Sequence, residues 1–232
     1  MSKLLECKNI VKRYGKKTAL DGLNLSLESG KIYGLLGPNA SGKTTLIKLI
    51  NSLLVQNEGE ILVDGKAIGV ESKMVISYLP DHTYINANKK VCWIIDYFDD
   101  FYSDFDKEKA YTMLKQLNIS ADESLKTLSK GTKEKVQLIL VMARKAKLYI
   151  LDEPIAGVDP AAREYILNTI LANYNQESTI LISTHLIADI ENVLDEFFFI
   201  MNGKVIMNDT VDNVREEKGQ SIDELFREVF RC

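Results

Sequence analysis

Residues 37–44 have the composition and order of a phosphate-binding loop. They read Gly-Pro-Asn-Ala-Ser-Gly-Lys-Thr, which matches the pattern G-x-x-x-x-G-K-[ST]. Glycines let consecutive backbone N–H groups approach phosphate oxygens closely, Lys43 neutralises the β- and γ-phosphates, and the Thr44 hydroxyl ligates Mg²⁺. The candidate nucleotide-binding residues of this segment are Gly37, Pro38, Asn39, Ala40, Ser41, Gly42, Lys43, Thr44 and Thr45.

A second candidate group follows an apolar run a hundred residues downstream. Leu148–Leu151 is followed by two adjacent carboxylates, Asp152 and Glu153. A strand of a parallel sheet delivers its carboxyl end to the ligand crevice, where Asp152 would hold Mg²⁺ and Glu153 would polarise an attacking water. An isolated Asp-Glu pair could equally be a solvated turn, but the phosphate loop upstream argues against that. A phosphate loop alone leaves kinases, GTPases and ATPases open.

The elements around these residues predict an α/β fold. The segment Leu4–Leu27 reads as short alternating strands, and Ile32–Leu36 is an apolar strand directly before the phosphate loop, with a helix from Gly42 after it. The continuous apolar runs at Leu148–Leu151 and Thr179–Ser183 are typical of a parallel sheet buried on both faces. We therefore expect a P-loop NTPase core with a mainly parallel sheet and an N-terminal antiparallel β subdomain.

The middle of the chain is helical in pattern, which predicts a single domain with an insertion. Residues 1–80 and 145–232 would form the catalytic α/β core, and residues 81–144 would be an inserted α-helical subdomain. Trp93, Tyr97, Phe98, Phe101 and Tyr102 are most simply the buried core of one of its helices, with a partner-docking face as the alternative. Asn202-Gly203 is a hairpin signal in the C-terminal part.

Composition narrows the function classes. The 232 residues carry a formal net charge of −4, which argues against a protein held on nucleic acid mainly by phosphate contacts. Cys7, Cys92 and Cys232 are odd in number and far apart, so we expect neither a disulfide framework nor a zinc site, and a reducing cytosol fits. No uninterrupted apolar run approaches the roughly eighteen residues of a spanning helix, so another chain would have to cross any membrane.

The order of motifs along almost the whole chain resembles that of the ATP-binding cassette (ABC) ATPase family. Leu128-Ser129-Lys130-Gly131-Thr132 resembles the family signature written LSGGQ, Ala156-Gly157-Val158-Asp159-Pro160 resembles the loop after the catalytic glutamate, and Ser183-Thr184-His185 ends a strand as the family's switch histidine does. Tyr14 lies where the family places an aromatic that stacks on adenine, although an ordinary turn aromatic is the alternative. A guanine-reading Asn-Lys-x-Asp motif is absent from the sequence.

The resemblance implies the site and its partners. Ser129, Gly131 and Asp159 would contribute to nucleotide binding, Lys43, Glu153 and His185 would be catalytic, and ATP with Mg²⁺ would be bound. Two nucleotide domains would face head to tail, as a homodimer or a heterodimer with another ABC chain. The protein would be cytoplasmic, held peripherally on the inner face of the cell membrane by integral membrane transporter subunits, with no nucleic acid partner.

Two positions depart from the family pattern. Where the family has a metal-contacting glutamine after Leu79-Pro80, this chain has Asp81. Aspartate is also a hard oxygen ligand, one carbon shorter and charged, so the expected metal ligands are Thr44, Asp81 and Asp152. Lys130 places a cation near a helix start, which the helix dipole disfavours, and a solvated side chain is expected.

These observations predict the ATP-hydrolysing subunit of an ABC transporter, which drives transport through separate membrane-spanning subunits by ATP-dependent dimerisation. The alternative is a non-transport ABC ATPase that acts on nucleic acid or ribosomes. Such proteins usually carry two cassettes or a long coiled-coil insertion, and neither is present in this sequence.

Overall fold

The N-terminal part of the chain forms an antiparallel sheet. The computed structural model describes residues 3–175 and 177–230, with the side chains of residues 161 and 162 left out. Four strands in the order β2-β1-β4-β5 make this sheet: β1 (Lys3–Tyr14), β2 (Lys17–Glu28), β4 (Glu58–Val63) and β5 (Lys66–Ala67). Residues 15 and 16 form the tight turn between β1 and β2, as the Gly15-containing sequence predicts.

The second sheet is parallel except at one edge. Its order is β10-β9-β3-β8-β7-β6, with β3 (Ile32–Leu36), β6 (Ile76–Leu79), β7 (Leu148–Asp152), β8 (Thr179–Thr184), β9 (Glu196–Met201) and β10 (Lys204–Thr210). Only the β9–β10 hairpin pairs antiparallel among these described strands. Every residue of β3, β7 and β8 is buried, which explains their uninterrupted apolar sequences. The predicted α/β class, with an antiparallel N-terminal sheet and a mainly parallel sheet, is confirmed.

Helices cover both faces of the parallel sheet and fill the segment between β6 and β7. Their bounds are α1 (Lys43–Ile50), α2 (Val70–Val75), α3 (Val91–Phe101), α4 (Lys107–Gln116), α5 (Lys130–Met142), α6 (Pro160–Asn173), α7 (Ile187–Ile190), α8 (Val211–Lys218) and α9 (Ile222–Val229), with a short 3₁₀ turn at Glu191–Val193 after α7. None of the helices in the described residues has both the length and the apolar character required to cross a membrane.

Helix α3 corrects one expectation. Phe98 is buried, but Trp93, Tyr97 and Phe101 are 45%, 50% and 65% exposed, so the aromatic stretch is not simply helical core. The three exposed rings are four residues apart and therefore lie on one face of the helix, where successive rings stack at 5.6 and 6.0 Å. The opposite face carries the aliphatic residues that pack inward.

Arg144 ties the helical segment to the sheet. Its side chain is 4% exposed, donates to the carbonyls of Ile76 and Met74 at 2.6 and 2.8 Å, and bridges to Asp104 at 3.0 Å. Helices α3–α5 also share one continuous hydrophobic cluster with β3, β6 and β7. The division at residues 80/81 and 144/145 into core and insertion stays a prediction.

Candidate functional site

The carboxyl ends of adjacent parallel strands bring the predicted site residues to one edge of the sheet. Leu36, the last residue of β3, is in register with Thr184 of β8, and Ser183 is in register with Asp152 of β7. The phosphate loop, Glu153 and His185 each follow directly from these strand ends. Residues separated by more than a hundred positions therefore meet because the register places them side by side.

The phosphate loop connects β3 to α1 through a backbone that requires its glycines. Gly42, which precedes the first residue of α1, has φ +116°, a conformation that residues with a side chain rarely adopt. A Cβ on Gly37 would lie 2.4 Å from the carbonyl oxygen of Ile200, and one on Gly42 would lie 2.9 Å from that of Ala19. The loop therefore lies directly against backbone on two sides.

Lys43 is buried beneath this loop and points at the carboxylate of Glu153. Its side chain is 6% exposed, and its Nζ donates to the carbonyl oxygens of Gly37 at 2.8 Å and Pro38 at 3.3 Å. Nζ lies 3.6 Å from Oε1 of Glu153. Burial lowers the pKa of Lys43, while the negative charges of Glu153 and Asp152 oppose that shift. The carbonyl oxygens of Gly37 and Pro38 and the carboxylate of Glu153 thus hold the ammonium group of Lys43 inside the site.

Asp152 is a buried carboxylate with one oxygen free to bind a cation. It is 1% exposed, and its Oδ1 accepts a short hydrogen bond from the Ser183 hydroxyl. Oδ2 is buried and has no hydrogen-bond partner among the described residues. Burial raises the pKa of Asp152, the Ser183 and Thr44 hydroxyls lower it, and the negative charges of Asp81 and Glu153 raise it further.

This donor set fits Mg²⁺. A carboxylate oxygen and a hydroxyl are the hard ligands that magnesium takes in phosphate-binding sites, where the substrate supplies further oxygens. The site is therefore suited to a magnesium ion that is bound together with phosphate.

Glu153 is held in place by both its backbone and its side chain. Its φ of +51° is unusual for a residue with a side chain, and its N–H donates to the carbonyl of Ser183 at 2.9 Å. The carboxylate accepts from the Thr184 hydroxyl at 3.1 Å and contacts Nδ1 of His185 at 3.1 Å. Backbone strain of this kind is common at functional sites. Here the hydrogen bonds of Glu153 with Ser183 and Thr184, at the end of β8, hold the residue in this conformation.

A pocket of about 410 Å³ opens over the phosphate loop. Tyr14, 47% exposed at the end of β1, lies at one side of it, and the ammonium of Lys12 lies 5.2 Å from the tyrosine ring. The predicted residues that line the pocket are Tyr14, Asn39, Ala40, Ser41, Gly42, Lys43, Thr44, Thr45, Asp81 and Glu153. An aromatic ring and a phosphate loop in the lining of one pocket suit the two ends of a nucleotide.

Asp81 lines this pocket and is paired with its neighbour His82, which does not line it. Oδ1 of Asp81 lies 2.6 Å from Nδ1 of His82, and both side chains are substantially exposed. Asp81 lies on the same side of the site as Asp152, whose carboxylate feels its charge. The sequence predicts no role for His82, because this histidine belongs to no motif.

Seven predicted residues do not line the pocket: Gly37, Pro38, Ser129, Gly131, Asp152, Asp159 and His185. Ser129 is the N-cap of α5 and accepts from the Thr132 N–H at 3.1 Å, and Gly131 follows in the first turn. Lys130 is 81% exposed and lies 3.8 Å from Glu134, as expected for a solvated lysine. Asp159 precedes α6, where its carbonyl accepts from the Arg163 N–H.

Five residues that line the pocket carried no functional signal in the sequence: Lys17, Thr18, Ala19, Asn202 and Gly203. Asn202 and Gly203 contribute to the pocket wall, although Asn202-Gly203 indicates only a hairpin. Pro38, although predicted, is not among the pocket-lining residues. Its carbonyl instead accepts from Lys43.

Comparison with known proteins decides the family. Residues 20–156, more than half of the chain, match the family model described as ABC transporter. The chain belongs to the ABC transporter family. A linearmycin resistance ATP-binding protein of Bacillus subtilis is 30% identical over 88% of this chain and 68% of its own length. The SkfA peptide export ATP-binding protein of the same organism is 28% identical over 92% of each chain.

Solved structures agree with the sequence relatives. An ATP-binding subunit of an ABC transporter superposes with a TM-score of 0.88 at 27% identity, covering 98% of this chain and all of that one. The predicted ABC resemblance and the predicted ATPase activity are confirmed: this chain is an ABC ATP-binding subunit, a nucleotide-binding ATPase.

Proposed function

We propose that this ABC subunit binds Mg²⁺–ATP in the pocket between Tyr14 and the phosphate loop and hydrolyses it with Glu153. The observation that carries the proposal is the 3.6 Å approach of Lys43 Nζ to Glu153 Oε1. One residue of this pair comes from the phosphate loop and the other from the end of β7. The adenine ring would stack on Tyr14, and the phosphates would lie on the N–H groups of residues 39–45.

The hydrolysis is then general-base catalysis. The Glu153 carboxylate accepts a proton from water as the water oxygen bonds to the γ-phosphorus and the bond to the β-phosphate oxygen breaks, giving ADP and phosphate. Thr184 and His185 orient the carboxylate at 3.1 Å each, and His185 is also suited to contact the γ-phosphate. Lys43 balances the negative charge that grows on the phosphate oxygens.

The proposed magnesium ligands are Thr44 and Asp152, with Asp81 as a third group that acts directly or through water. The free Oδ2 of Asp152 supports this assignment. The ion would supply charge neutralisation across the β- and γ-phosphates.

Two variants test the nucleotide chemistry. Lys43→Ala removes the phosphate-neutralising charge and is expected to raise the Kd for a fluorescent ADP analogue at least tenfold. Glu153→Gln keeps the shape of the site and is expected to leave that Kd within threefold while lowering ATP hydrolysis at least about a hundredfold, since a general base contributes roughly 10²–10⁴. Glu164→Gln on α6 is the matched control. Hydrolysis by Glu153→Gln at the wild-type rate would contradict the proposal.

We further propose that a separate membrane-spanning subunit docks in a groove of about 370 Å³ that borders the nucleotide site. Apolar side chains of Leu53, Phe98 and Tyr102 line it, and Lys48 and Lys73 contribute positive charge. This chemistry fits a short cytoplasmic segment with apolar and acidic residues. Pro80 and His82 also line the groove, on either side of Asp81 in the chain. Residues 81–144, proposed as the helical insertion, would supply one wall.

The transport role has its own test, distinct from ATP chemistry. Co-expression with an integral membrane protein encoded beside this chain is expected to yield a complex, which Leu53→Glu weakens while the ADP affinity of the isolated subunit is unchanged. Stimulation of ATP hydrolysis by nucleic acid, together with no membrane complex, would favour the non-transport alternative. The relatives named for peptide export and drug resistance support export as the direction of transport.

A further inference from the structure

The β9–β10 hairpin reaches past the end of the sheet and along the phosphate loop. Strand β9 pairs in parallel with β3 up to Phe199, which is in register with Leu36, the last residue of β3. Beyond this point β3 gives way to the phosphate loop, while β9 continues to Met201 before the chain turns. The turn at Asn202-Gly203 is therefore placed beside the loop by the strand register itself.

Gly203 links the phosphate loop to β2 through its backbone. Its N–H donates to the carbonyl oxygen of Ser41 at 2.9 Å, and its own carbonyl accepts from the N–H of Asp21 at 3.1 Å. Ser41 is 4% exposed and lies within the phosphate loop. The side chain of Lys204 adds an ion pair to Asp21 at 2.9 Å. The backbone of this one residue thus connects two elements of the pocket.

The fit at this junction leaves no room for a methyl group. A Cβ on Gly203 would lie 2.5 Å from the carbonyl oxygen of Ala19, and one on Gly42 would lie 3.4 Å from Cα of Gly203. On the other side, a Cβ on Gly37 would lie 2.4 Å from the carbonyl of Ile200, in the same hairpin. The atoms around Gly203 are backbone of β2 and cannot rotate away, so a side chain on Gly203 would push the turn out of place and disturb its hydrogen bond to Ser41 of the phosphate loop.

We propose that the Asn202-Gly203 turn is a positioning element of the nucleotide site, and that Gly203 holds the phosphate loop in its binding conformation. The inference rests on the proposed nucleotide site and adds a hairpin that no motif of the sequence assigns to it. Its consequence is specific: moving the turn weakens binding of the nucleotide phosphates, whereas the general base, which stands on β7 and β8, keeps its geometry.

The chain contains a matched control for this position. Gly65 occupies the same place in the β4–β5 hairpin: Asp64 and Gly65 have φ of +52° and +72°, and Asn202 and Gly203 have +49° and +75°. A Cβ on Gly65 would meet nothing within 4 Å. Gly65→Ala therefore introduces the same unfavourable backbone preference as Gly203→Ala without touching the phosphate loop.

The experiment compares these two variants with the wild-type chain. Gly203→Ala is expected to raise the Kd for the fluorescent ADP analogue and the KM for ATP at least tenfold, with kcat at saturating ATP within threefold of wild type. Gly65→Ala is expected to keep all three values within twofold. Unchanged ADP affinity in folded Gly203→Ala would overturn the proposal, as would a loss of kcat with unchanged KM, because that pattern reports a smaller folded fraction.

A measurement on the wild-type chain covers the case in which Gly203→Ala does not fold. Saturating ADP is expected to slow amide hydrogen exchange at least tenfold at Gly203 together with the phosphate loop, and to leave Gly65 unchanged. If ADP slows hydrogen exchange at the amides of the phosphate loop but not at Gly203, the positioning role is refuted. A wild-type chain that binds no ADP would instead refute the nucleotide site itself, so the two failures are distinguishable.

Discussion

At the scale of single residues, Asp152 shows how a proposed metal ligand can oppose folding. The residue is 1% exposed, and burial raises its pKa, so the charge that it carries at pH 7 costs folding free energy, which the neutral amide of Asn avoids. We expect Asp152→Asn to abolish ATP hydrolysis while raising the melting temperature in nucleotide- and magnesium-free buffer at pH 7. A gain of about 1 kcal/mol corresponds to roughly 2–4 °C for a chain of this size. An unchanged or lower melting temperature would contradict this account.

The pH dependence of that gain follows from the direction of the pKa shift. Burial raises the pKa of Asp152 in the folded chain, so the unfolded chain releases this proton at a lower pH than the folded chain does. Ionisation of Asp152 therefore lowers the free energy of unfolding. The loss begins as the pH rises through the ordinary pKa of aspartate and is complete above the raised pKa of the folded chain. The advantage of Asp152→Asn is expected to be full above the raised pKa, and to disappear below about pH 4, where aspartate is protonated in both states.

Asp81 provides a second residue-scale prediction. It replaces the glutamine of the family pattern with a charged ligand, which should attract magnesium more strongly at low concentration. We expect Asp81→Gln to shift the Mg²⁺ concentration for half-maximal ATP hydrolysis upward by a fewfold, with nucleotide affinity in the absence of magnesium little changed. Identical magnesium titrations of the two proteins would show that Asp81 is not a ligand.

At the scale of elements, the features predictable from sequence are those with local patterns. Apolar runs predict the buried strands β3, β7 and β8, and each run is followed by the polar residues that a parallel sheet gathers at one edge. The glycines and Lys43 of the phosphate loop form a contiguous motif. Strand, loop and helix can therefore be read in order, and the fold class follows from their alternation.

Features set by packing between distant elements could not be predicted in this way. Nothing local distinguishes Gly203 from Gly65, since both occupy two-residue hairpin turns; only the neighbouring backbone of β2 and the phosphate loop gives Gly203 its different setting. The exposure of Trp93 and Tyr97 depends on which face of α3 meets the core. Aromatic content indicated burial, whereas the aliphatic face of the helix was the one that packed inward.

At the scale of the whole molecule, the proposed nucleotide pocket of one chain leaves out residues of the segment that resembles the family signature. The pocket over the phosphate loop includes neither Ser129 nor Gly131, although both belong to the resemblance with the family signature. If these residues act on nucleotide, they act on a nucleotide held by another subunit. ATP would then hold two chains together, and hydrolysis would loosen them by removing the bridging charge.

Ser129 allows this arrangement to be tested without disturbing the pocket. In a Glu153→Gln background, which traps ATP, we expect a dimer in saturating ATP by light scattering after size exclusion. Ser129→Asp keeps the N-cap of α5, because aspartate caps helices as well as serine does. In the proposed dimer it places a negative charge opposite the γ-phosphate of the ATP that the other subunit holds.

The dimer should therefore be lost, while the affinity of each chain for ADP stays within twofold. Ser221→Asp, at the serine N-cap of α9, should leave the dimer intact. A dimer that persists with Ser129→Asp would show that the signature segment does not face nucleotide across the interface.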